Sequence, residues 1–521
     1  MKSKRLSVDL GFLLLTILLS TCFGAFLSMQ RVTDPFLYYD IAFVKSIQQE
    51  TQMVIPETGP YASLSFVAGR EILLTQFANM MGISPKQLQF LPLGTILLSS
   101  TLYFLALRLL KSPVIASLVT LYLILNLSHA TALYSVFGYA LALPLFFGFV
   151  AISKRFFQRR GHIEIVILLL LFVAAHFIHY TITVWMILFL TGASLTIGIQ
   201  KWLTPNSYAV KAVPAYYLAI ALGVFFLGLN ETVYKSFLPL IQLETLDSAV
   251  QRFLTYLSID PISMNRSPYL YTRSSAIGLI STCSLVIILL PIVLGVIQDV
   301  WQLIVRRSFD WATASQLPIM WGITLMGVID SVSYAFRGSI STKSFSMILP
   351  LVTLLYVQRT GKRTLYYGMA LLLVMTSIIK LVVFYDNSYV IGPGNINSNS
   401  DKIQPSAEWL QSHIPRPKYT MLADMNLYGK YLVASVGRGQ EPILHGYTTE
   451  RFENVIGVST EEWETVPDIV AVDLVSFEPT TGFVWVRLDS LVNYQTELRN
   501  NHRLNLIYDD GAVWLCQPTG E

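Results

Sequence analysis

The chain has 521 residues, of which 53% are hydrophobic and only 13% charged. Soluble domains carry roughly 25% charged residues, so this composition, with a mean hydropathy of +0.54, excludes a secreted soluble protein and points to a chain that crosses a membrane many times. A net charge of +4 is too small to argue for nucleic acid, and Cys22, Cys283 and Cys516 offer neither a disulfide framework nor a metal-ligand spacing.

The first apolar run covers 11–29 and follows Lys2, Lys4 and Arg5. It exceeds the apolar stretch of about 7–15 residues of a signal peptide and has no clear small-x-small cleavage site, so it reads as an uncleaved anchor. Residues 30–50 follow at once. Asp34-Pro35 reads as a helix start, with the acid as N-cap and proline in the first turn. At helical spacing Phe36, Leu37, Ile41, Phe43, Val44 and Ile47 share one side, and Asp34, Tyr38, Lys45 and Gln49 the other. Asp40 interrupts the apolar side. An acid on an apolar surface is desolvated, which suits a general acid or base.

A second apolar stretch, 61–83, carries Arg70-Glu71 at its centre. Each charge costs about 2.5–3.5 kcal/mol at mid-bilayer, so this stretch reads as a helix lying at the interface, ended by Gly82-Ile83-Ser84-Pro85. Further apolar segments fall at 88–107, 113–127, 133–152, 163–177, 181–199, 212–229, 274–298, 315–333, 341–357 and 364–384. With the anchor they give about eleven spans. Not counting 61–83 gathers Arg108, Lys111, Lys154, Arg155, Arg159, Arg160, Lys201, Lys211, Arg306, Arg307, Arg359, Lys362 and Arg363 on one side. By the positive-inside rule that side is the cytoplasm, the N-terminus is inside and the C-terminus outside.

The domain expectation is a transmembrane unit over 1–385 with external loops at 30–87 and 230–273, then an extracytoplasmic α/β domain over 386–521. The 230–273 loop holds a helical middle, LETLDSAVQRFLTYL. The domain begins with an irregular linker, IGPGNINSNSD. It continues with a helix (PSAEWLQSHI), strands YTMLAD, IVAVDLV and FVWVRL, a helix near 489–500, and LNLIYDDGAVWLC as a hairpin with an Asp-Gly turn.

Asp34-Pro-Phe-Leu-Tyr-Tyr-Asp40-Ile-Ala-Phe-Val resembles the first external loop of GT-C membrane glycosyltransferases, above all oligosaccharyltransferase catalytic subunits. Those have an Asp-Pro-aromatic-x-x-Tyr run after the first span. Family members also carry a juxtamembrane helix ending in a Gly-hydrophobic-Ser-Pro turn, and many end in a small external domain with a similar Trp-Leu opening and Ile-Tyr-x-x-Gly close. The resemblance implies transfer of a sugar from a polyprenyl-linked donor to an acceptor on the outer face. It places the residue matching Asp34 in the active site.

The expected catalytic residues are therefore Asp34, as base toward the acceptor, and Asp40. A plain N-cap is the structural alternative for Asp34, and an interfacial surface acid the alternative for Asp40. Arg337, in DSVSYAFRGSISTKS beside Asp330, matches the late external turn in which the family holds the donor phosphate, and a guanidinium suits phosphate geometry. Its alternative is an interfacial arginine paired with Asp330 or lipid headgroups. Tyr38, Tyr39, His129, Tyr134 and His179 complete the expected substrate-binding set. His176 and His179 are three apart on a helix, but no acid or cysteine joins them as a metal site.

The second external loop, SHATALYSVFGYALAL, has no carboxylate, where metal-dependent oligosaccharyltransferases add acids. Their Trp-Trp-Asp-Tyr-Gly motif is absent too; Asp424-Met-Asn-Leu-Tyr428-Gly429 is the nearest string. These departures favour a metal-independent, cofactor-free, inverting transfer from a monophosphate-linked sugar, as in protein mannosyltransferases. The expected partners are the lipid-linked donor, membrane lipids and a protein or glycan acceptor. Competing readings are a transporter or flippase, which would leave paired halves and broken helices, a ligase or polymerase of lipid-linked saccharides, and a non-catalytic scaffold.

Overall fold

The computed structural model describes residues 2–29, 37–50, 69–88, 91–125, 139–159, 162–203, 218, 221–223, 275–306, 311–336, 343–386, 398–414, 418–423, 425–436, 441–444, 467–473, 500, 504–511 and 513–519. The helices are α1 (Lys2–Met29), α2 (Leu37–Glu50), α3 (Gly69–Met81), α4 (Pro85–Leu88), α5 (Leu93–Leu110), α6 (Pro113–Leu125), α7 (Tyr139–Arg159), α8 (His162–Ile178), α9 (Tyr180–Leu203), α10 (Ser275–Trp301), α11 (Trp311–Phe336), α12 (Lys343–Arg359) and α13 (Arg363–Asp386). A π-helical turn, Gln302–Arg306, prolongs α10. The C-terminal unit contains α14 (Ser398–His413), β1 (Lys418–Leu422), α15 (Met425–Ser435), β2 (Glu441–Leu444), β3 (Ile469–Asp473), β4 (Leu504–Asp509) and β5 (Val513–Pro518).

Among the described residues five stretches are long and apolar enough to cross a membrane: Ser7–Ala25, Leu93–Leu110, Ala140–Phe157, Thr181–Gln200 and Cys283–Val305. Five apolar helices are shorter: Pro113–Leu125, His162–Ile178, Gln316–Asp330, Ile348–Arg359 and Arg363–Ile379. Each apolar segment expected from the sequence coincides with a described helix except 212–229. That segment lies outside the described residues apart from Leu218 and residues 221–223, which are helical.

The bundle is built as a lipid-soluble object. α1 exposes Leu10, Leu14, Leu15, Leu18 and Leu19 while burying Thr16 and Ser20, the reverse of a soluble amphipathic helix. Without water outside, helices associate through small residues and hydroxyl hydrogen bonds. The Thr16 hydroxyl lies 2.7 Å from the Phe12 carbonyl oxygen and 2.9 Å from the Ser117 hydroxyl. Thr353 donates to the Ile288 carbonyl at 2.8 Å, tying α12 to α10. α9 and α11 touch backbone to backbone: a Cβ at Gly192 would lie 3.0 Å from Gly322 Cα, and one at Gly322 would lie 2.8 Å from the Phe189 carbonyl oxygen.

One end of the bundle carries a buried acid the sequence reading did not single out. Asp299 of α10 is fully buried. Its Oδ1 accepts from Arg359 Nη2 at 2.6 Å, and its Oδ2 accepts from Trp321 Nε1 and the Tyr356 hydroxyl, both at 3.1 Å. Arg108, Lys111, Lys154 and Arg155 belong to the same end, where Gln358 and Tyr366 donate to the Leu110 carbonyl oxygen.

The C-terminal unit is a five-stranded sheet in the order β2-β1-β3-β5-β4. β1 runs parallel to β2 and β3, whereas β5 is antiparallel to both β3 and β4. Parallel β1 and β2 need a crossover, and α15 provides it. The sequence reading missed both α15 and β2. The string Asp424–Gly429, weighed only as a weak motif, runs into this helix, where Leu427, Tyr428 and Tyr431 are buried. Ser398–Asp401, expected as irregular linker, instead form the first turn of α14; serine, asparagine and aspartate favour helix starts as much as loops. The closing hairpin is present, with Gly511 at φ +76°. Its N–H donates to Asp509 Oδ1 at 2.9 Å. FVWVRL, the 489–500 helix apart from Asn500, and the 230–273 loop lie outside the described residues.

Candidate functional site

Four consecutive residues of α2 divide between two cores. Ile41 and Val44, three apart and so on one face, join Leu74, Ala78 and Leu88 from α3 and α4. Ala42 and Phe43 enter the core of the sheet unit with Leu427, Tyr431 and Leu515. α2 is therefore enclosed on both sides. On the expected polar side Gln49 is exposed, but Lys45 is half-buried: its Nζ donates to the carbonyl oxygens of Val433 at 2.8 Å and Val436 at 3.4 Å, at the C-terminal end of α15. A cation there satisfies orphan carbonyls and complements the helix dipole.

α3 begins against the end of α8. A Cβ at Gly69 would lie 2.7 Å from both Cβ and the carbonyl oxygen of Phe177, so only glycine allows this approach. α3 is described over Gly69–Met81, and 61–68 lie outside the described residues. Its end is a Schellman turn: Gly82, at φ +64°, donates to the Asn79 carbonyl at 3.3 Å, and Ile83 to the Ala78 carbonyl at 3.1 Å. Ser84 then starts α4, with Gln87 Oε1 accepting from its N–H at 2.8 Å, half of a capping box. The Gly-Ile-Ser-Pro stop was thus legible, but α3 is not simply an interfacial helix. It packs on α2 while exposing Ile72, Leu73, Met80 and Met81.

These two helices bring three charges together. Arg70 Nη2 lies 2.5 Å from Asp40 Oδ1 and 2.5 Å from Glu71 Oε1, and Arg70 Nε lies 3.0 Å from the same Glu71 oxygen. All three side chains are buried. Asp40 does interrupt the apolar face, as its spacing requires, and Arg70 pairs with it there. Buried ions persist only when paired and hydrogen-bonded. Among the described residues no three of His, Cys, Asp and Glu converge on a metal position.

His179 lies in the tight turn between α8 and α9. Its N–H donates to the Ala175 carbonyl at 2.7 Å, and Ile182 N–H donates to the His179 carbonyl at 3.0 Å. Its near neighbour Phe177 touches Gly69, which brings this turn to the start of α3. Asp330 is buried on α11. It lies eight residues beyond Gly322, about 12 Å along the helix from the α9 crossing, toward the end that holds α2 and α3. Tyr38 and Tyr39 fall in the first turn of α2. Asp34, His129, Tyr134 and Arg337 lie outside the described residues.

Arg70 and Glu71 entered the sequence reading only as an argument against a span. The signal for more was present: adjacent opposite charges inside an apolar segment mark a functional or paired site. Asp299 gave no such signal, because its cation is sixty residues away. No known family model matches the chain, and no curated protein matches it.

Proposed function

We propose that the protein is an integral membrane glycosyltransferase of GT-C type that moves a sugar from a polyprenyl-phosphate donor to an acceptor at the membrane surface. The observation that carries this reading is the buried Asp40–Arg70–Glu71 cluster. It lies in the helices that follow the first apolar span, between an apolar bundle and a C-terminal sheet unit. Transfer from a lipid phosphate needs charge held in fixed geometry, a route for the lipid tail and exclusion of water. An enclosed cluster at the end of a lipid-soluble bundle supports fixed charge and the exclusion of water.

In this proposal about eleven segments cross the membrane. The end rich in Arg and Lys faces the cytoplasm, and α2, α3 and the sheet unit stand outside. Asp34 is the base toward the acceptor, and Arg337 holds the donor phosphate. The reaction is inverting and uses no metal. The deciding experiment reconstitutes purified full-length protein with radiolabelled polyprenyl-phosphate hexoses and follows label into acceptor, with and without EDTA. Transfer that survives EDTA supports the reading. Movement of intact donor between leaflets without sugar transfer would instead identify a flippase.

A further inference from the structure

The carboxylate of Glu71 is only half used. Its Oε1 accepts both Nε and Nη2 of Arg70, at 3.0 and 2.5 Å. Its Oε2 is buried and meets no hydrogen-bond donor, although the side chain is only 5% exposed. Burying an acceptor without a donor carries a penalty, largest for charged groups.

The charges around that oxygen restrict what can fill it. Two carboxylates, Asp40 and Glu71, share the Arg70 guanidinium. A carboxylate oxygen repels phosphate and accepts from a hydrogen-bond donor. The location is equally specific: Glu71 is in the first turn of α3, directly after the Gly69–Phe177 contact that joins α3 to the His179 turn.

We propose that Glu71 is a substrate-contacting carboxylate whose Oε2 accepts a hydrogen bond from a saccharide hydroxyl, an assignment that rests on the glycosyl-transfer reading. The hydroxyl belongs to the sugar of the donor or to the acceptor. The phosphate is held elsewhere.

The test uses full-length protein in detergent, with Glu71→Gln and Glu71→Asp. Glutamine keeps an acceptor for Arg70 but places an N–H2 donor at the open position; aspartate keeps the charge and withdraws it. Binding of polyprenyl phosphate and of polyprenyl-phosphate mannose is measured by thermal shift, and transfer by label. The expected result is unchanged binding of polyprenyl phosphate in both variants. Binding of the mannosyl lipid falls about tenfold or more if the donor sugar is the partner. If the acceptor is the partner, donor binding holds and the acceptor KM rises by a similar factor. Should Glu71→Gln fail to fold, Glu71→Asp carries the same comparison. If wild type transfers sugar and the folded variants match it in both arms, water fills the position and the proposal is overturned while the enzyme reading stands. If wild type neither binds nor uses the mannosyl lipid, nor its glucosyl counterpart, both fall together.

Discussion

Asp40 and Arg70 are thirty residues apart in the chain and 2.5 Å apart in space, each buried. Removing one partner of a buried pair leaves an uncompensated charge, usually at a cost of about 3–5 kcal/mol. Glu71 remains beside Arg70, so Asp40→Ala is expected at the low end, about 3 kcal/mol. Equilibrium unfolding in mixed detergent micelles measures it. Arg70→Ala takes the guanidinium from two carboxylates at once and should be worse; a milder effect than Asp40→Ala would mean that the guanidinium is not the keystone of the cluster.

Asp34 offers a sharper separation of stability from activity. Asparagine caps a helix about as well as aspartate, so Asp34→Asn should leave thermal unfolding unchanged. A base is worth about 10²–10⁴ in rate, and sugar transfer should fall by that factor. Retention of more than about a tenth of turnover, a smaller loss than a base accounts for, passes the role to another acid.

Lys45 ties α2 to the last carbonyls of α15. A hydrogen bond from a charged group contributes about 1.5–3 kcal/mol. Lys45→Met keeps the aliphatic stem and loses the ammonium. Amide exchange over residues 425–436 should accelerate by one to two orders of magnitude, about what that energy implies, while exchange in α5 and α9 stays as in wild type. Uniform acceleration would show that the two units unfold together.

At the other end of the bundle, Asp299→Ala removes the acceptor of Arg359, Trp321 and Tyr356 at once. The expected loss is about 3–5 kcal/mol, with catalysis per folded molecule unchanged, because this network lies at the opposite end from α2 and α3. Turnover corrected for the folded fraction is the readout. A drop in that corrected value would reveal coupling between the two ends.

Cys516 gives a pH signature. Burial on β5, and secondarily the charge of Asp509, push its thiol from the ordinary 9.0 up to about 12. The folded state therefore holds a proton that the unfolded chain releases. Its contribution is intact below about pH 9 and is lost as pH rises toward 12. In thermal melts across that range, wild type should lose more stability than Cys516→Ala. Parallel curves would mean that the thiol ionises as easily folded as unfolded.

Local pattern carried much of this architecture. The apolar runs, the Gly82–Pro85 stop and the final hairpin are written in neighbouring residues. What pattern could not carry is pairing at a distance. Spacing put Asp40 on an apolar face but could not reveal that Arg70 waits there. Lys45 looked solvated because its partners are backbone carbonyls 388 and 391 residues away. α15 was missed because Tyr428 and Tyr431, modest helix formers, are fixed by burial against the sheet and α2.

The division of α2 between two cores sets an order on biosynthesis. Lys45 is made 391 residues before Val436, an interval of about 20–80 s at ordinary translation rates. Throughout it the sheet-unit neighbours of Ala42 and Phe43 do not yet exist, and a nascent chain must carry an apolar, cation-bearing helix past most of its own membrane insertion. The ribosome thus completes the sheet-unit side of α2 last. A chain released early would have a bundle and half an enclosure, which makes the sheet unit a checkpoint for assembly as well as part of the finished protein.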